Sequence, residues 1–399
     1  MLSRPPGGET WGELVRLIER ARQVLPGVEV EGIWVPYARD VLARWPVGAR
    51  VCPARWLHAA LAGEQLAELG LVDVLDFGVL EDSSAVRGSL RRLSRCEHLR
   101  SVVEVSVPAT CDVRDDALVV LLNQSAWGAT ARIHIEGGVV SRAVADAIAR
   151  ARPRQLSLRG CRVEDGALAA LIESGAFDRV ERLGLVSLCG EIERVGVLRE
   201  LLSRCADRLE SLNLCGTRCG GEIERILAED SFPALRTLGL SSCGVDVRAL
   251  DGIEQIEELD LSYNRFSVAG AMSLAERVQS LRVLGVSGCF VGIEPLAMLA
   301  GRGALSGVEV LFARDNFLGG SFEEGWSEGF DALCELWLER NGVTEHDLEV
   351  MLGHSVALSG LVRLELGGAF EDQGALARLA SAPLVRSLEE VSGAEDARA

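Results

Sequence analysis

A single spacing of apolar residues recurs along most of the chain. In the segment IEELDLSYNRF, Leu259, Leu261 and Asn264 occupy three fixed positions of this spacing. The same frame appears in LRTLGLSSCGV, LRVLGVSGCFV, LCELWLERNGV and RQLSLRGCRV, where Cys replaces Asn in three of the four copies. The frame L-x-x-L-x-L-x-x-N/C predicts a short strand followed by a turn, built once in each of many stacked units.

The apolar residue at the fourth position of this frame can be followed through the chain. Its spacing ranges from 21 to 30 residues and averages about 26. A truncated copy follows at Val391. The positions are Leu75, Val103, Ile133, Leu156, Leu183, Leu212, Leu238, Leu259, Leu284, Leu311, Leu336 and Leu364.

The intervals between these strands carry helical patterns. Residues 267–278 place Ala271, Leu274 and Val278 on one helical face, and residues 165–173 show the same spacing. A further helix is predicted to begin at Thr344, with acidic residues in its first turn. The 21-residue interval after Leu238 is too short for a full helix and predicts one turn. Each unit is therefore predicted to contain a strand, a turn and a helix.

These units resemble the leucine-rich repeat family, and the helix-bearing ones resemble its ribonuclease-inhibitor-like class. The resemblance runs from about Val72 onward. It implies an α/β horseshoe, with parallel strands on the concave face and helices on the convex face. We expect residues 71–392 to form about 12 repeats and residues 393–399 to form a flexible tail.

The first 70 residues have a different composition. Four of the seven Trp and six of the 11 Pro lie before residue 57. Residues 13–25 predict an amphipathic helix, and residues 37–45 and 54–69 predict two more. The segment is either a helical cap over the apolar edge of the first repeat or a separate docking module. A cap is favoured, because terminal repeats need a polar outer cover.

The chain is strongly acidic, with a formal net charge of −18 and a pI of about 4.9. Such a field repels nucleic acid and anionic membranes and favours a basic protein partner. The same charge is also explained by solubility of a long apolar array. All 41 basic residues are Arg. A GC-rich coding bias is the favoured explanation, and avoidance of lysine-directed modification is the alternative.

The 11 Cys are interpreted as reduced thiols. Cys161, Cys243 and Cys289 fill the Asn/Cys position of the repeat, where a small side chain packs in the core. Reduced thiols indicate a reducing compartment. The start of the chain has no apolar segment typical of a secretory signal, and no apolar run is long enough to span a bilayer. We therefore expect a cytoplasmic protein.

Recognisable reaction or metal chemistry is not found in the sequence. None of the five His lies in a HExxH pair or a Cys/His ligand group. Cys215 and Cys219 have CxxxC spacing without a second pair, which favours a structural role over a metal site. No Walker loop, GxGxxG or GxSxG motif is present. The expectation is a non-enzyme without catalytic residues, metal or cofactor.

Strand geometry predicts which residues face a partner, because the residues between the leucines point to the concave surface. In the middle repeats these positions are small: Gly184, Ser211, Asn213, Gly239, Ser241, Gly285 and Ser287. They leave room but offer little anchoring. The later repeats carry larger and charged side chains, and these form the candidate partner-binding set. Its members are Glu258, Asp260, Tyr263, Phe312, Arg314, Asp315, Trp337, Glu339, Arg340, Arg363 and Glu365, with Glu335 beside them.

Two interpretations of the aromatic residues remain open. Phe312 and Trp337 on neighbouring strands are candidates for binding hot spots, which are enriched in aromatic and Arg side chains. They could instead pack on each other and on Tyr263 as a stabilising ladder. Binding is favoured. In the insertion after Gly319, Phe322, Trp326 and Phe330 predict a buried helical stripe, with Glu323, Glu324 and Glu328 facing solvent beside the candidate set.

The resulting hypothesis is a non-enzymatic scaffold that binds a protein partner on its concave face and is monomeric by itself. By resemblance to ribonuclease inhibitor, it is expected to act as an inhibitor or immunity-like protein for a basic partner. The alternative is a regulator such as a GTPase-activating partner, since Ran GTPase-activating proteins have similar repeats. A third possibility is a structural array whose N-terminal module does the binding.

Overall fold

The computed structural model divides into two compact units. The first contains residues 1–184 and 188–205, and the second contains residues 185–187 and 206–399. The structure describes residues 6–25, 27–46, 48–80, 89–93, 95–96, 98–99, 102–109, 115–123, 132–190, 192, 196–320, 322, 329–344, 346–347, 349–350, 360–366 and 390–392.

The first unit begins with a group of helices. They are α1 (Gly8–Val24), α2 (Gly27–Glu29), a π-helical turn (Val30–Trp34), α3 (Val35–Leu42) and α4 (Ala54–Ala62), followed by a 3-10 helix (Ala67–Leu71). The apolar stripe of α1 is buried, including Trp11, Leu14 and Ile18. The indole of Trp11 meets that of Trp56 edge-on, with ring centroids 6.2 Å apart. The three helices predicted in this segment are thus present with shifted bounds.

These N-terminal residues are joined directly to the first strand of the repeats, β1 (Val74–Asp76). Val51 forms a parallel bridge with Val74, and Trp11 Nε1 donates to the Val51 carbonyl at 2.8 Å. The buried carboxylate of Asp73 accepts from the backbone N–H groups of Gly48 and Arg50, at 3.1 and 2.9 Å. The free edge of β1 is therefore occupied by the segment that precedes it.

The parallel strands of the first unit follow one another as neighbours in chain order, apart from short strands that form a separate ladder. After β1 they are β2 (Glu104–Val107), β3 (Arg132–Glu136), β5 (Gln155–Arg159) and β7 (Arg182–Val186), the last of which extends into the second unit. Leu75 pairs with Val105, Val105 with Ile133, and Ile133 with Leu156. The predicted anchor at Val103 is therefore wrong by two residues. The irregular sequence around Pro108 lacks the Asn/Cys marker that would have fixed the frame.

A second ladder lies beyond the ends of these strands. It consists of β4 (Val139–Val140), β6 (Arg162–Val163) and β8 (Cys189–Gly190), all parallel. The helices between the strands are α5 (Leu90–Leu93), α6 (Asp115–Leu122), α7 (Arg142–Ala151), α8 (Ala167–Glu173) and α9 (Val197–Ser203). The α7 helix begins where the Ser141 hydroxyl accepts from Val144 N–H, an N-cap bond that satisfies an otherwise unpaired donor.

The second unit repeats one strand register without interruption. Its strands are β9 (Ser211–Asn213), β10 (Thr237–Gly239), β11 (Glu258–Asp260), β12 (Val283–Gly285), β13 (Val310–Phe312), β14 (Glu335–Trp337), β15 (Arg363–Glu365) and β16 (Glu390–Ser392). Leu212, Leu238, Leu259, Leu284, Leu311, Leu336, Leu364 and Val391 pair in that order. Every predicted anchor from Leu212 onward is confirmed, including the truncated copy.

Three helices of this unit are described along their whole length: α10 (Gly220–Glu229), α11 (Val268–Arg277) and α12 (Ile293–Gly301). The predicted helix 267–278 corresponds to α11, which Ser267 caps by accepting from Gly270 N–H. The short interval after Leu238 holds a single 3-10 turn, Val247–Ala249, as expected. Ile226, Leu274 and Leu299 from the three helices are buried, as are the strand leucines. The core therefore lies between the helices and the strands.

The Asn/Cys position holds neighbouring repeats together. Asn264 Nδ2 donates to the Leu240 carbonyl of the preceding repeat at 2.7 Å, and its Oδ1 accepts from Gly244 and Val245 N–H. Cys243 Sγ donates to the Leu214 carbonyl at 3.0 Å. Buried backbone groups need partners, and this position supplies them across the repeat boundary. That requirement explains why only a few small polar residue types fill it.

Several predicted features fall partly outside the described residues. Thr344 and Asp347 form reciprocal capping bonds, with Asp347 Oδ2 accepting from Thr344 N–H at 2.7 Å, as expected for a helix start. In the insertion, Phe322 and Phe330 are buried. Trp326, Glu323, Glu324 and Glu328 lie outside the described residues, so the helical stripe stays a prediction.

Candidate partner-binding surface

The strand residues that point away from the core form rows across the second unit. One row runs through Asn213, Gly239, Asp260, Gly285, Phe312, Trp337 and Glu365, as the strand register requires. Side chains are small or polar over the first four strands and aromatic over the next two. The strand face therefore changes from a low floor of small and polar residues to a raised aromatic wall, formed by Phe312 and Trp337.

The glycines of this row leave the space that side chains of the preceding strand occupy. A Cβ at Gly285 would lie 2.6 Å from Asp260 Oδ1, and one at Gly239 would lie 3.0 Å from Asn213 Oδ1. Both oxygens close a turn within their own repeat: Asp260 Oδ1 accepts from Ser262 N–H, and Asn213 Oδ1 from Cys215 N–H, each at 3.0 Å. The side chains fold sideways over a glycine in the next strand, which keeps the floor low.

Trp337 lies at the centre of the aromatic wall. Its ring centroid is 5.6 Å from that of Phe312 on the preceding strand. The guanidinium of Arg314 lies 4.3 Å from the Trp337 ring centroid, and that of Arg363 lies 4.8 Å from it. One arginine comes from each neighbouring repeat, and both positions are in the range of cation–π interactions. The Phe312–Trp337 part of the predicted ladder is therefore present, and both aromatic side chains remain partly exposed. The Tyr263 ring instead lies against Gly288.

The arginines of the candidate set are neutralised by carboxylates from the same surface. Arg314 Nε lies 2.8 Å from Glu339 Oε1, and Arg363 Nε donates to Glu365 Oε1 at 3.2 Å. Glu365 is only 5% exposed, although the sequence placed it on the open face.

A second cluster lies along the turns that follow the strands. Arg340 Nη2 donates to Asp315 Oδ2 at 2.7 Å, and the Tyr263 hydroxyl donates to the same oxygen at 3.3 Å. All three residues have left-handed backbones, with φ of 58° at Tyr263, 54° at Asp315 and 56° at Arg340. Burial and the neighbouring Asp315 carboxylate both raise the pKa of the Tyr263 phenol. It therefore stays protonated and able to donate.

The left-handed turn is a property of the repeat. Gly216, Ser242 and Gly288 hold the equivalent positions and also have positive φ. Each turn is fixed by a backbone bond to the next repeat, such as Tyr263 N–H to the Ser287 carbonyl at 2.7 Å and Asp315 N–H to the Glu339 carbonyl at 2.9 Å. Non-glycine residues at such φ carry backbone strain. The presence of Tyr263, Asp315 and Arg340 at these positions therefore indicates that this edge requires their particular side chains.

Glu258 and Asp260 face an open cavity of about 390 Å³ over β9 to β13. The floor is formed by small residues, including Gly239, Ser241 and Gly285, and Phe312 and Arg314 stand at one side. The volume is within the range of about 300–1,000 Å³ typical of ligand pockets. From the sequence, the small residues were expected to contribute little to partner binding. In the structure, their alternation in register with Asn213 and Asp260 creates the cavity. That alternation could have been recognised once the frames were aligned.

Exposed aromatic residues also occur outside the candidate set. Phe290 and Phe317 are 76% and 64% exposed, and their ring centroids are 6.1 Å apart. In the N-terminal helices, Trp34 and Tyr37 are 51% and 64% exposed. Sequence reasoning missed the Phe290–Phe317 pair because both residues lie one position beyond the Asn/Cys marker, where the frame predicts nothing about exposure.

Among the described residues, no group of three or more His, Cys, Asp and Glu side chains could hold a metal ion. The ten described cysteines are free thiols. Burial raises the pKa of Cys161 and Cys289 to about 11, so these thiols are protonated and unreactive at neutral pH. Within the described part of the chain, no helix is both long and apolar enough to cross a membrane.

Comparison with known proteins gives a match in structure only. No family model and no curated protein matches the sequence. Among solved structures, a chain of the yeast Rad7–Elc1 complex matches with a TM-score of 0.52 and 14% sequence identity. The match covers 93% of this chain and 89% of the yeast chain. At this identity the likeness concerns the fold alone.

The parallel strand array, the recurring Asn/Cys turn and this structural match together fit the leucine-rich repeat fold. The yeast chain belongs to a complex of two proteins.

Proposed function

We propose that this protein is a non-enzymatic interaction scaffold that binds a basic protein partner on the strand face of its second unit. The observation that carries this proposal is the wall formed by Phe312, Trp337, Arg314 and Arg363 beside the open cavity. Aromatic and Arg side chains in such partly covered positions dominate binding energy at protein interfaces. The ring stack also holds Trp337 in place, which lowers the entropy lost on binding.

Charge on this face supports a basic partner. Arg314, Arg340 and Arg363 are each paired with a carboxylate, namely Glu339, Asp315 and Glu365. Among the described residues, Glu258, Asp260 and Glu335 have no arginine within ion-pair distance. They accept instead from the Thr237 hydroxyl, Ser262 N–H and the indole N–H of Trp337, respectively. The surface therefore has excess negative charge where a partner would contact it.

More specifically, we propose a ribonuclease-inhibitor-like role, in which the scaffold captures and blocks a basic enzyme. Its support is the repeat type and the acidic strand face. The GTPase-activating alternative would require an arginine able to reach a nucleotide. Each of the three arginines of the candidate set is paired with a carboxylate, which favours the role of inhibitor over that of GTPase-activating protein.

We also infer that residues 1–70 act mainly as a cap. The support is the bridge between Val51 and Val74 and the Asp73 bonds to Gly48 and Arg50, which tie this segment to the edge of β1. An unpaired strand edge is a site for unwanted association, and this segment covers it.

The test is affinity capture from source-cell extract, followed by titration of the captured protein with purified variants. We expect Trp337→Ala to weaken binding at least tenfold, while the paired change Phe290→Ala and Phe317→Ala, which removes exposed aromatic area elsewhere on the unit, leaves it within about twofold. Circular dichroism must show both variants folded. Loss with the Phe290 and Phe317 changes alone would place the interface at the turns and overturn the assignment to the strand face.

A further inference from the structure

The cavity over β9 to β13 has a chemical character distinct from the aromatic wall beside it. Its floor is built from Gly, Ser and Cys, and two carboxylates, Glu258 and Asp260, border it. The two residues are two positions apart on β11, so both side chains lie on the open face of the sheet. The cavity is therefore a recess with excess negative charge, open to solvent.

The hydrogen bonds of the two carboxylates leave acceptor capacity inside this recess. Asp260 Oδ1 accepts from Ser262 N–H, and its Oδ2 accepts from the Cys215 thiol at 3.8 Å. Glu258 accepts from the Thr237 hydroxyl through Oε2, at 3.2 Å. An ionised carboxylate offers about four acceptor positions. Each of the two carboxylates is thus free to receive further donors.

Arg314, the arginine among the described residues that line the cavity, is already engaged with other groups. Arg314 stands at the side of the cavity, but its guanidinium lies over the Trp337 ring and its Nε is 2.8 Å from Glu339 Oε1. The aromatic rings of Phe312 and Tyr263 also line the recess. A guest that matches these features has several N–H donors, a positive charge and a flat surface that can stack.

We propose that the cavity receives one arginine side chain of the partner protein. A guanidinium presents five donors in a planar fork, which can bond to two carboxylates at once and stack on an aromatic ring. A lysine ammonium is a compact point charge and can satisfy only part of this surface. The proposal rests on the proposed function, because it takes the guest to be part of a bound protein.

The first experiment uses short peptides, so that it does not depend on identifying the partner. The probes are acetyl-Gly-Arg-Gly-amide and the same peptide with Lys or with citrulline, which has the shape of Arg without its charge. Ligand-observed NMR titration should give saturable binding of the Arg peptide, weaker binding of the Lys peptide and at least tenfold weaker binding of the citrulline peptide. Equal binding of the Arg and citrulline peptides, or no saturable binding of the Arg peptide, overturns the proposal.

The second experiment locates the site by neutralising the carboxylates that line the cavity and, as a control, a neighbouring carboxylate outside it. The double variant Glu258→Gln and Asp260→Asn should weaken Arg-peptide binding at least tenfold, and Asn at 260 can still accept from Ser262 N–H, which preserves the turn. The control is Glu257→Gln, the adjacent residue, whose side chain pairs with Arg236 at 3.6 Å and does not line the cavity. We expect the control to bind within twofold of the wild type. An equal loss in the control would show a general field effect and overturn the site.

The two proposals can fail separately. If the purified partner binds the double variant as tightly as the wild type and still requires Trp337, the cavity proposal is wrong and the scaffold function stands. If the Arg peptide binds as expected but Trp337→Ala leaves partner binding unchanged, the cavity is supported and the assignment of the interface to the aromatic wall is wrong.

Discussion

The ring of Tyr263 lies directly across Gly288 of the next repeat. A Cβ at Gly288 would overlap Cε1 and Cδ1 of that ring, and Gly288 is buried beneath it. The tyrosine thereby passes over one repeat and donates to Asp315 of the repeat after it. One side chain thus connects three successive turns, and the glycine is the condition for that connection.

Replacing Gly288 with Ala should destabilise the protein by about 2–3 kcal/mol. The new methyl group meets the Tyr263 ring and also imposes a side chain on a residue with φ of 60°. The measurement is urea unfolding followed by circular dichroism. In the double variant Tyr263→Ala and Gly288→Ala the collision is removed, so the loss caused by the Ala at 288 should fall to about 1 kcal/mol. An unchanged loss would mean that the ring does not lie over this position.

Replacing Asn264 with Ala should cost about 3 kcal/mol. The amide donates to the Leu240 and Leu261 carbonyls and accepts from Gly244 and Val245 N–H, and Ala leaves these buried groups without partners. Asn264→Cys is the matched control, because Cys fills the equivalent position at 243 and 289. The Cys variant should lose about half as much. Equal losses in the two variants would show that packing, and not hydrogen bonding, sets the choice of residue.

Acidification should reveal the effect of a partly buried histidine of the first unit. Burial is the main cause of the lowered pKa of His134, with a smaller opposing effect from Glu104. Because the unfolded chain binds the proton more readily, this contribution to stability is fully present above pH 6.5 and is lost as the pH falls below it. Urea unfolding at pH 7.5 and 5.5 should show a smaller decrease for His134→Gln than for the wild type. A larger decrease in the variant would contradict the direction of the shift.

The cysteines should differ widely in their rates of alkylation. Cys189 is exposed, whereas burial raises the pKa of Cys52 to about 12 and that of Cys289 to about 11. Only the thiolate reacts, so brief treatment of the native protein with iodoacetamide at pH 8 should label Cys189 before the buried cysteines among those the structure describes. Mass spectrometry of peptides gives the order, and a urea-unfolded sample serves as the control. Early labelling of Cys52 or Cys289 would indicate local opening of the core.

Deleting residues 1–70 should cause the remaining array to aggregate. The deletion removes Val51 and Trp11 and exposes the edge of β1. Size-exclusion chromatography and circular dichroism distinguish the outcomes, with deletion of residues 393–399 as the control. A folded, monomeric array that no longer binds its partner would instead identify the segment as a docking module.

The sequence by itself determined the repeat, its strand register and most of its helices. This was possible because Leu259, Leu261 and Asn264 have local roles that each repeat must satisfy again: core packing and the closing of a turn. Where the marker residue was missing, near Pro108, the frame was placed two residues early. The aromatic and charged residues on the open face could also be listed, because alternation along a strand decides which side chains point outward.

Only the tertiary structure decided how those outward residues combine. The contacts of Arg314 and Arg363 with the Trp337 ring and the hydrogen bond from Tyr263 to Asp315 join residues 23 to 52 positions apart. The burial of Glu365 was likewise visible only in the structure. The cavity has the same origin, since Gly239 and Gly285 form a floor only when neighbouring repeats lie side by side. Such contacts depend on distances between repeats and on side-chain directions, and a spacing pattern within one repeat contains neither.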